Sequence, residues 1–95
     1  MELSFQTEKV HILPKPKNNI LAYVDLLVNE KLVIKGLRVC DGKKGTFVSF
    51  PQTKGKDNEG KEEWYNNVYL KDKELDKTMA GVVLKSYEDK KQKND

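Results

Sequence analysis

The most regular pattern of apolar positions lies between Ile20 and Val28. All even positions of this run are apolar, and the odd positions are mostly apolar around Asp25. A strand whose two faces are both apolar is usually covered on both sides. We therefore predict that one face packs on the core of the domain and the other on a helix or a second subunit, which suggests a dimer.

Shorter alternating patterns predict two further strands, one on each side of this run. Residues 2–13 change the phase of their alternation near Thr7 and Glu8, and residues 31–39 change it at Gly36. Because an extra residue at such a point lets a strand keep one apolar face, a β-bulge is predicted at both places. The connections are predicted as a turn over residues 14–19 and a tight reversal at Asn29 and Glu30.

Residues 36–51 are predicted to form a β-hairpin. Asp41, Gly42 and Gly45 suit a tight turn, and β-branched and aromatic residues lie on both sides of it. Pro51 has no N–H group to give to a ladder, so strand pairing should stop there.

The second half of the chain is less regular until its C-terminal helix. Residues 51–63 show no periodicity and are predicted to form a mobile loop, whereas residues 64–70 are predicted to form a short strand. Asp72 is the predicted N-cap of a helix over residues 73–88. Its apolar side chains form one stripe, namely Leu75, Met79, Val82, Val83 and Tyr87.

Composition bounds the size and the setting of the protein. The chain has 95 residues and a formal net charge of +3, which fits one domain, predicted over residues 1–88, with a charged flexible tail over residues 89–95. Arg38 is the only arginine, and lysine acts as a point charge that favours phosphate over base contacts. The single cysteine, Cys40, predicts a buried thiol in a reducing compartment, and no apolar run predicts a membrane span, so a cytoplasmic protein is expected.

The sequence offers little material for catalysis. It has one histidine and one cysteine, no nucleophile beside a base, no metal-ligand spacing and no glycine loop that leads into a helix. We therefore predict a protein that is not an enzyme, without a metal, a cofactor or a small-molecule substrate.

The hairpin resembles the signature of the stage V sporulation protein G (SpoVG) family, small bacterial nucleic-acid-binding regulators. The similar residues are Leu37, Arg38, Val39, Asp41, Gly42, Gly45, Phe47, Val48 and Pro51. The similarity extends more weakly over residues 1–88. It implies a homodimer formed through the sheet, which binds DNA, or in some members RNA, with basic residues after the proline and at the start of the helix.

Seven lysines are the candidate phosphate contacts. Those that match the family's basic positions are Lys54, Lys56, Lys71, Lys73 and Lys77, and the hairpin tip adds Lys43 and Lys44. For the helix lysines a second interpretation stays open, a solvated face with the pairs Lys73–Asp76 and Glu74–Lys77. Tyr65 and Tyr69 could stack bases, but packing against a helix or a partner is the preferred interpretation.

The sequence thus predicts an α+β fold, a twisted antiparallel sheet of four to five strands with one C-terminal helix, paired into a homodimer. The predicted function is a nucleic-acid-binding regulator with DNA or RNA as its partner. The alternative is a protein–protein interaction module with the same fold that has lost nucleic-acid binding, which the net negative charge of residues 51–63 would permit.

Overall fold

The described part of the chain forms six strands and one helix. The computed structural model describes residues 2–93. In chain order the elements are β1 (Phe5–Lys17), β2 (Ile20–Val28), β3 (Leu32–Gly42), β4 (Gly45–Ser49), β5 (Gln52–Lys56), β6 (Glu62–Asn66) and α1 (Lys73–Lys93). The first four strands form one antiparallel sheet in the order β1-β2-β3-β4, and β5 and β6 form a separate two-stranded ribbon. The predicted α+β class, with its four-stranded sheet and C-terminal helix, is confirmed.

Short turns join the first three strands. Asn18 and Asn19 connect β1 to β2 with φ of 52° and 67°, and residues 29–31 connect β2 to β3, with φ of 52° at Asn29 and 59° at Glu30. Two successive residues at positive φ match the right-handed twist of the strands they join. The predicted turn over residues 14–19 is therefore too long, because the prolines remain extended in β1, an edge strand where a missing N–H group is tolerated.

The sheet contains both bulges that the sequence predicts. The register between β1 and β2 shifts between Thr7 and Lys9, and the register between β2 and β3 shifts at Lys35 and Gly36. Gly36 adopts φ of 87°, and its N–H group donates to Oδ1 of Asp25 at 3.3 Å. The bulge at Gly36 returns Leu37 and Val39 to the face that Ile34 occupies, so β3 keeps one apolar face.

The predicted hairpin of residues 36–51 is also confirmed. Gly42 pairs with Gly45 across a turn formed by Lys43 and Lys44. Pairing ends at Ser49, and Pro51 separates β4 from the ribbon, as a residue without an N–H group should.

The core lies between one face of the sheet and the helix. Met79, Val83 and Tyr87 are the buried side chains of α1, and they pack on buried residues of the sheet. The sheet side of this core consists of Phe5, Val10, Ala22, Val24, Leu26, Val28, Leu37 and Val39, together with Phe50 beyond β4. The single apolar stripe of the helix is thus accounted for by one covered face of the sheet.

The helix is longer than the sequence predicts. The sequence predicts it over residues 73–88, whereas it continues to Lys93, so the described part of the predicted tail is helical. Nζ of Lys90 donates to the carbonyl oxygen of Val10, and the lysines of the last turn stabilise the negative end of the helix dipole. Residues 94 and 95 lie outside the described residues, and the domain boundary at residue 88 stays a prediction.

The ribbon corrects two predictions. Residues 51–63 are not a mobile loop, because β5 occupies residues 52–56 and β6 begins at residue 62. The predicted strand over residues 64–70 is displaced, since pairing ends at Asn66. Oδ1 of Asp57 accepts from the N–H groups of Glu59 and Lys61, at 2.9 and 2.8 Å, and so closes the turn between the two strands.

Candidate functional site

The lysines at the hairpin tip occupy the turn itself. Lys43 and Lys44 lie between paired Gly42 and Gly45, and both are exposed. Gly45 adopts φ of 122°, a conformation that favours glycine and that lets β4 return alongside β3. Both ammonium groups are therefore presented to solvent from a fixed turn.

The ribbon carries the next two candidate lysines. Lys54 and Lys56 lie on β5, where strand alternation places both on one face of the ribbon together with Trp64, the register partner of Lys54. Nζ of Lys54 lies 2.9 Å from Oε2 of Glu62. One lysine of this pair is therefore already matched by a carboxylate.

The last three candidates surround the start of the helix. Lys71, Lys73 and Lys77 are all exposed. Oδ1 of Asp72 accepts from the N–H groups of Glu74 and Leu75, at 2.9 and 3.3 Å, which confirms the predicted N-cap. In the described chain, neither of the predicted pairs, Lys73–Asp76 and Glu74–Lys77, is closer than 4.0 Å.

The seven lysines thus form three groups on three elements. Within a group the spacing is close: Lys43 and Lys44 are adjacent, Lys54 and Lys56 share a ribbon face, and Lys73 and Lys77 are one helical turn apart. No single strand or helix gathers all of them. The mixed-charge alternative is weakened at the helix, where the expected ion pairs do not form, and is strengthened at Lys54.

Two lysines in the C-terminal half of the helix play a different part. Lys90 bonds to the carbonyl group of Val10, and Nζ of Lys91 lies 5.9 Å from the centre of the Tyr87 ring. These two cations stabilise the helix and the edge of the sheet. They are therefore poor candidates for a site even though the local charge is positive.

The sheet face opposite the helix carries a cluster that the sequence analysis missed. The register places Tyr23 beside Arg38 and Cys40 beside Phe47 on this face, which we call the open face. Trp64 of the ribbon approaches it, with its ring centre 6.0 Å from the guanidinium carbon of Arg38. Together they line a cleft of about 550 Å³ between the open face and the ribbon.

The rings of this cleft are exposed. Tyr23, Phe47 and Trp64 expose 37%, 50% and 58% of their surface. A Cβ atom on Gly42 would lie only 2.9 Å from the Phe47 ring, so this glycine allows the ring to lie against the backbone. Exposed aromatic rings held in place by the sheet are unusual on a surface that has no partner.

Arg38 is the charged centre of the cleft. Its Nε atom is buried and has no hydrogen-bond partner among residues 2–93. Cys40 is buried beside it, and desolvation raises the pKa of the thiol, an effect that the positive charge of Arg38 partly opposes. The predicted burial of Cys40 is confirmed, and its raised pKa disfavours the reactive thiolate.

The other two exposed tyrosines lie away from this cleft. Tyr65 and Tyr69 expose 44% and 59% of their surface, so the prediction that the chain's own helix covers them is wrong. The Tyr65 ring lies 3.0 Å from the position of a Cβ atom on Gly55, and a hydrogen bond to Glu63 raises the pKa of its hydroxyl. Cover by a partner subunit stays a prediction.

Residues 2–93 contain no group of three or more histidine, cysteine or acidic side chains arranged to hold a metal ion. In the same part of the chain, no helix combines the length and the apolar character needed to cross a membrane.

The fold and the surface define a small α+β protein with one helix-covered sheet face, one open aromatic face and lysines on three elements. A family model described as SpoVG matches residues 5–89, and the chain therefore belongs to the SpoVG family. This membership supports a SpoVG-like regulatory role and agrees with the resemblance of the hairpin. No curated protein matches the chain.

Proposed function

We propose that the protein is a non-enzymatic, homodimeric regulator that binds the phosphate backbone of DNA or RNA through lysine side chains. Family membership supports the regulatory part. The observation that carries the binding part is that six candidate lysines have no carboxylate within 4.0 Å in the described chain. They are Lys43, Lys44, Lys56, Lys71, Lys73 and Lys77.

The helix start favours an anion for a second reason. Lys71 and Lys73 lie at the positive end of the helix dipole, where a cation weakens the helix. A phosphate group would relieve this repulsion, since it is stabilised by both the dipole and the ammonium groups. The capping bonds of Asp72 already occupy one of the carboxylates that would repel it.

The dimer is supported by the apolar end of β3. Leu32 and Val33 expose 58% and 39% of their surface, and because they are adjacent in a strand they point to opposite faces of the sheet. A second copy that covers this end would bury both. Sedimentation of the wild type and of a Leu32→Asp, Val33→Asp variant tests this, because the wild type should be a dimer and the variant a monomer. A monomeric wild type would refute the dimer.

A second function is favoured by the charge balance of the same segments. Residues 71–77 hold three lysines and three acidic residues, and Lys54 is paired with Glu62. A surface so balanced suits a protein partner, whose own charges can match it, better than a polyanion. The alternative is therefore a protein–protein interaction module.

A binding titration at two salt concentrations separates the two functions. We expect the protein to bind a labelled DNA or RNA fragment at low salt, with a slope of log K against log salt of about 0.9 for each duplex phosphate neutralised. No binding to either nucleic acid at low salt would refute nucleic-acid binding and leave the interaction module.

Paired charge reversals locate the contacts. Lys73→Glu with Lys77→Glu should abolish binding at low salt, because each reversal removes a phosphate contact and adds a charge that repels phosphate. Lys31→Glu with Lys35→Glu is the matched control, since these lysines are also exposed and four residues apart but lie outside the candidate set. Equal losses in both variants would indicate a general charge effect, and a larger loss from reversal of Lys43 and Lys44 would move the site to the hairpin tip.

A further inference from the structure

The cleft on the open face presents three aromatic rings around one arginine. Tyr23 and Phe47 come from the sheet, and Trp64 comes from the ribbon. All three rings keep more than a third of their surface exposed, although the core of the same domain buries Tyr87 almost completely. The rings are therefore available to a ligand with a flat apolar surface.

The charges around the rings are those that an anionic chain needs. Arg38 lies at the centre, and Lys17 lines the cleft at the end of β1. On the ribbon face of Trp64, Lys54 is paired with Glu62, whereas Lys56 has no carboxylate within 4.0 Å in the described residues. Cationic groups thus lie on both sides of the aromatic cluster, which suits phosphates that flank a stacked base.

Arg38 gives a second reason, separate from the exposed rings, to expect a ligand in the cleft. Its guanidinium carbon lies 6.0 Å from the centre of the Trp64 ring, and its buried Nε donor lacks an acceptor in the described residues. A buried donor without an acceptor costs the free protein stability. An oxygen atom of a base or a phosphate would provide that acceptor once the side chain turns towards it.

We propose that this cleft binds the unpaired bases of single-stranded nucleic acid, with a base stacked on Trp64 and Tyr23 and with Arg38 bound to its phosphate or its carbonyl oxygen. The proposal rests on the nucleic-acid binding proposed above and adds the form of the ligand. A duplex would reach only the lysines, because its bases are stacked inside and do not meet the rings. A single strand engages both.

Trp64 is the only tryptophan, so its fluorescence reports on the cleft directly. The full chain is titrated at low salt with an oligodeoxythymidine and, separately, with a duplex of equal length. The expected result is quenching by the single strand and little change with the duplex. Quenching that is equal for both, or absent while binding is seen by another signal, would overturn the proposal.

Substitutions then test the stacking. Trp64→Leu and Tyr23→Leu should each weaken binding of a labelled oligodeoxythymidine by about tenfold or more and leave duplex binding unchanged. Tyr69→Leu is the matched control, because Tyr69 is as exposed as Trp64 but does not line this cleft. Arg38→Lys keeps the charge and removes the planar fork, and it should also weaken single-strand binding.

The outcomes separate this proposal from the function on which it rests. If Trp64→Leu and Tyr23→Leu bind single strands like the wild type while the Lys73 and Lys77 reversal fails to bind, the phosphate interface stands and the cleft proposal is wrong. If no nucleic acid binds at low salt, the proposed function fails and the cleft proposal with it. Strong protection of Trp64 from acrylamide in the free dimer would show that a second copy covers the cleft, which also overturns the proposal.

Discussion

Asp72 allows helix capping and surface charge to be tested at one position. Its carboxylate accepts two N–H groups of the first helical turn, and it lies between Lys71 and Lys73. Asp72→Ala removes both bonds, whereas Asp72→Asn keeps an oxygen acceptor and removes only the charge. Both variants therefore lose the negative charge, and only Asp72→Ala also loses the capping bonds.

The stability difference can be worked out from these contacts. Loss of an N-cap costs about 1 kcal/mol, and the exposure of Asp72 lets water replace part of the lost bonding, so we expect a value near 1 and not near 2 kcal/mol. For a domain of this size this lowers the thermal midpoint by roughly 4–8 °C. Asparagine caps nearly as well as aspartate, so Asp72→Asn should lose less than half as much.

Thermal unfolding followed by circular dichroism measures this difference. If Asp72→Ala unfolds at the temperature of the wild type, or if Asp72→Asn is destabilised as much, the capping argument is wrong. Nucleic-acid affinity provides a second reading. Both variants remove one negative charge beside the helix lysines, so both should bind more tightly than the wild type at low salt if that surface contacts phosphate.

Three further predictions concern stability. Gly81→Ala should stabilise the protein by about 1 kcal/mol, because Gly81 is exposed within the helix and a Cβ atom there meets nothing within 4 Å; a higher midpoint in urea unfolding would confirm it. Gly36→Ala should cost about 1–2 kcal/mol in the same assay, because the bulge needs φ of 87°; an unchanged midpoint would contradict this. Burial raises the pKa of the Cys40 thiol above 9.0, so the folded protein keeps a proton that the unfolded chain releases, and stability should fall as the pH rises above that value. Urea unfolding at pH 8 and pH 10 should show a smaller loss for Cys40→Ala than for the wild type.

The sequence predicts those elements whose apolar pattern is tied to burial. Residues 20–28 and the helix stripe alternate with the periods of a strand and a helix, and one face of each is buried. The two bulges could also be located, since each interrupts the alternation at one point. Where burial decides the structure, the apolar pattern is enough to predict the element.

The ribbon could not be predicted in this way. Residues 52–56 carry no apolar alternation, and both strands of the ribbon are largely exposed. It is held instead by its backbone ladder, by the Asp57 turn and by the contact of Tyr65 with Gly55. None of these leaves a hydrophobic period in the sequence.

Of the candidate sites, the sequence predicted the lysines and missed the cleft. Lys43 and Lys44 could be proposed from their place in the predicted turn, and the other five lysines from their match to the basic positions of the family that the hairpin resembles. The cleft could not be predicted from the sequence. Tyr23 and Arg38 become neighbours only through the register between β2 and β3, and Trp64 reaches them only through the unpredicted ribbon. Strand alternation does place Arg38 away from the core, so an arginine facing outwards was the one available signal.

The contact between the helix and β1 joins segments that lie far apart in the sequence. The Thr7 hydroxyl bonds to that of Ser86 at 3.0 Å across 79 positions, and Lys90 reaches Val10. During synthesis on the ribosome the sheet is therefore complete in sequence before anything can cover its apolar side. Until the helix emerges, the nascent chain exposes that side to other nascent chains and to chaperones, and the docking of the helix is a long-range closure.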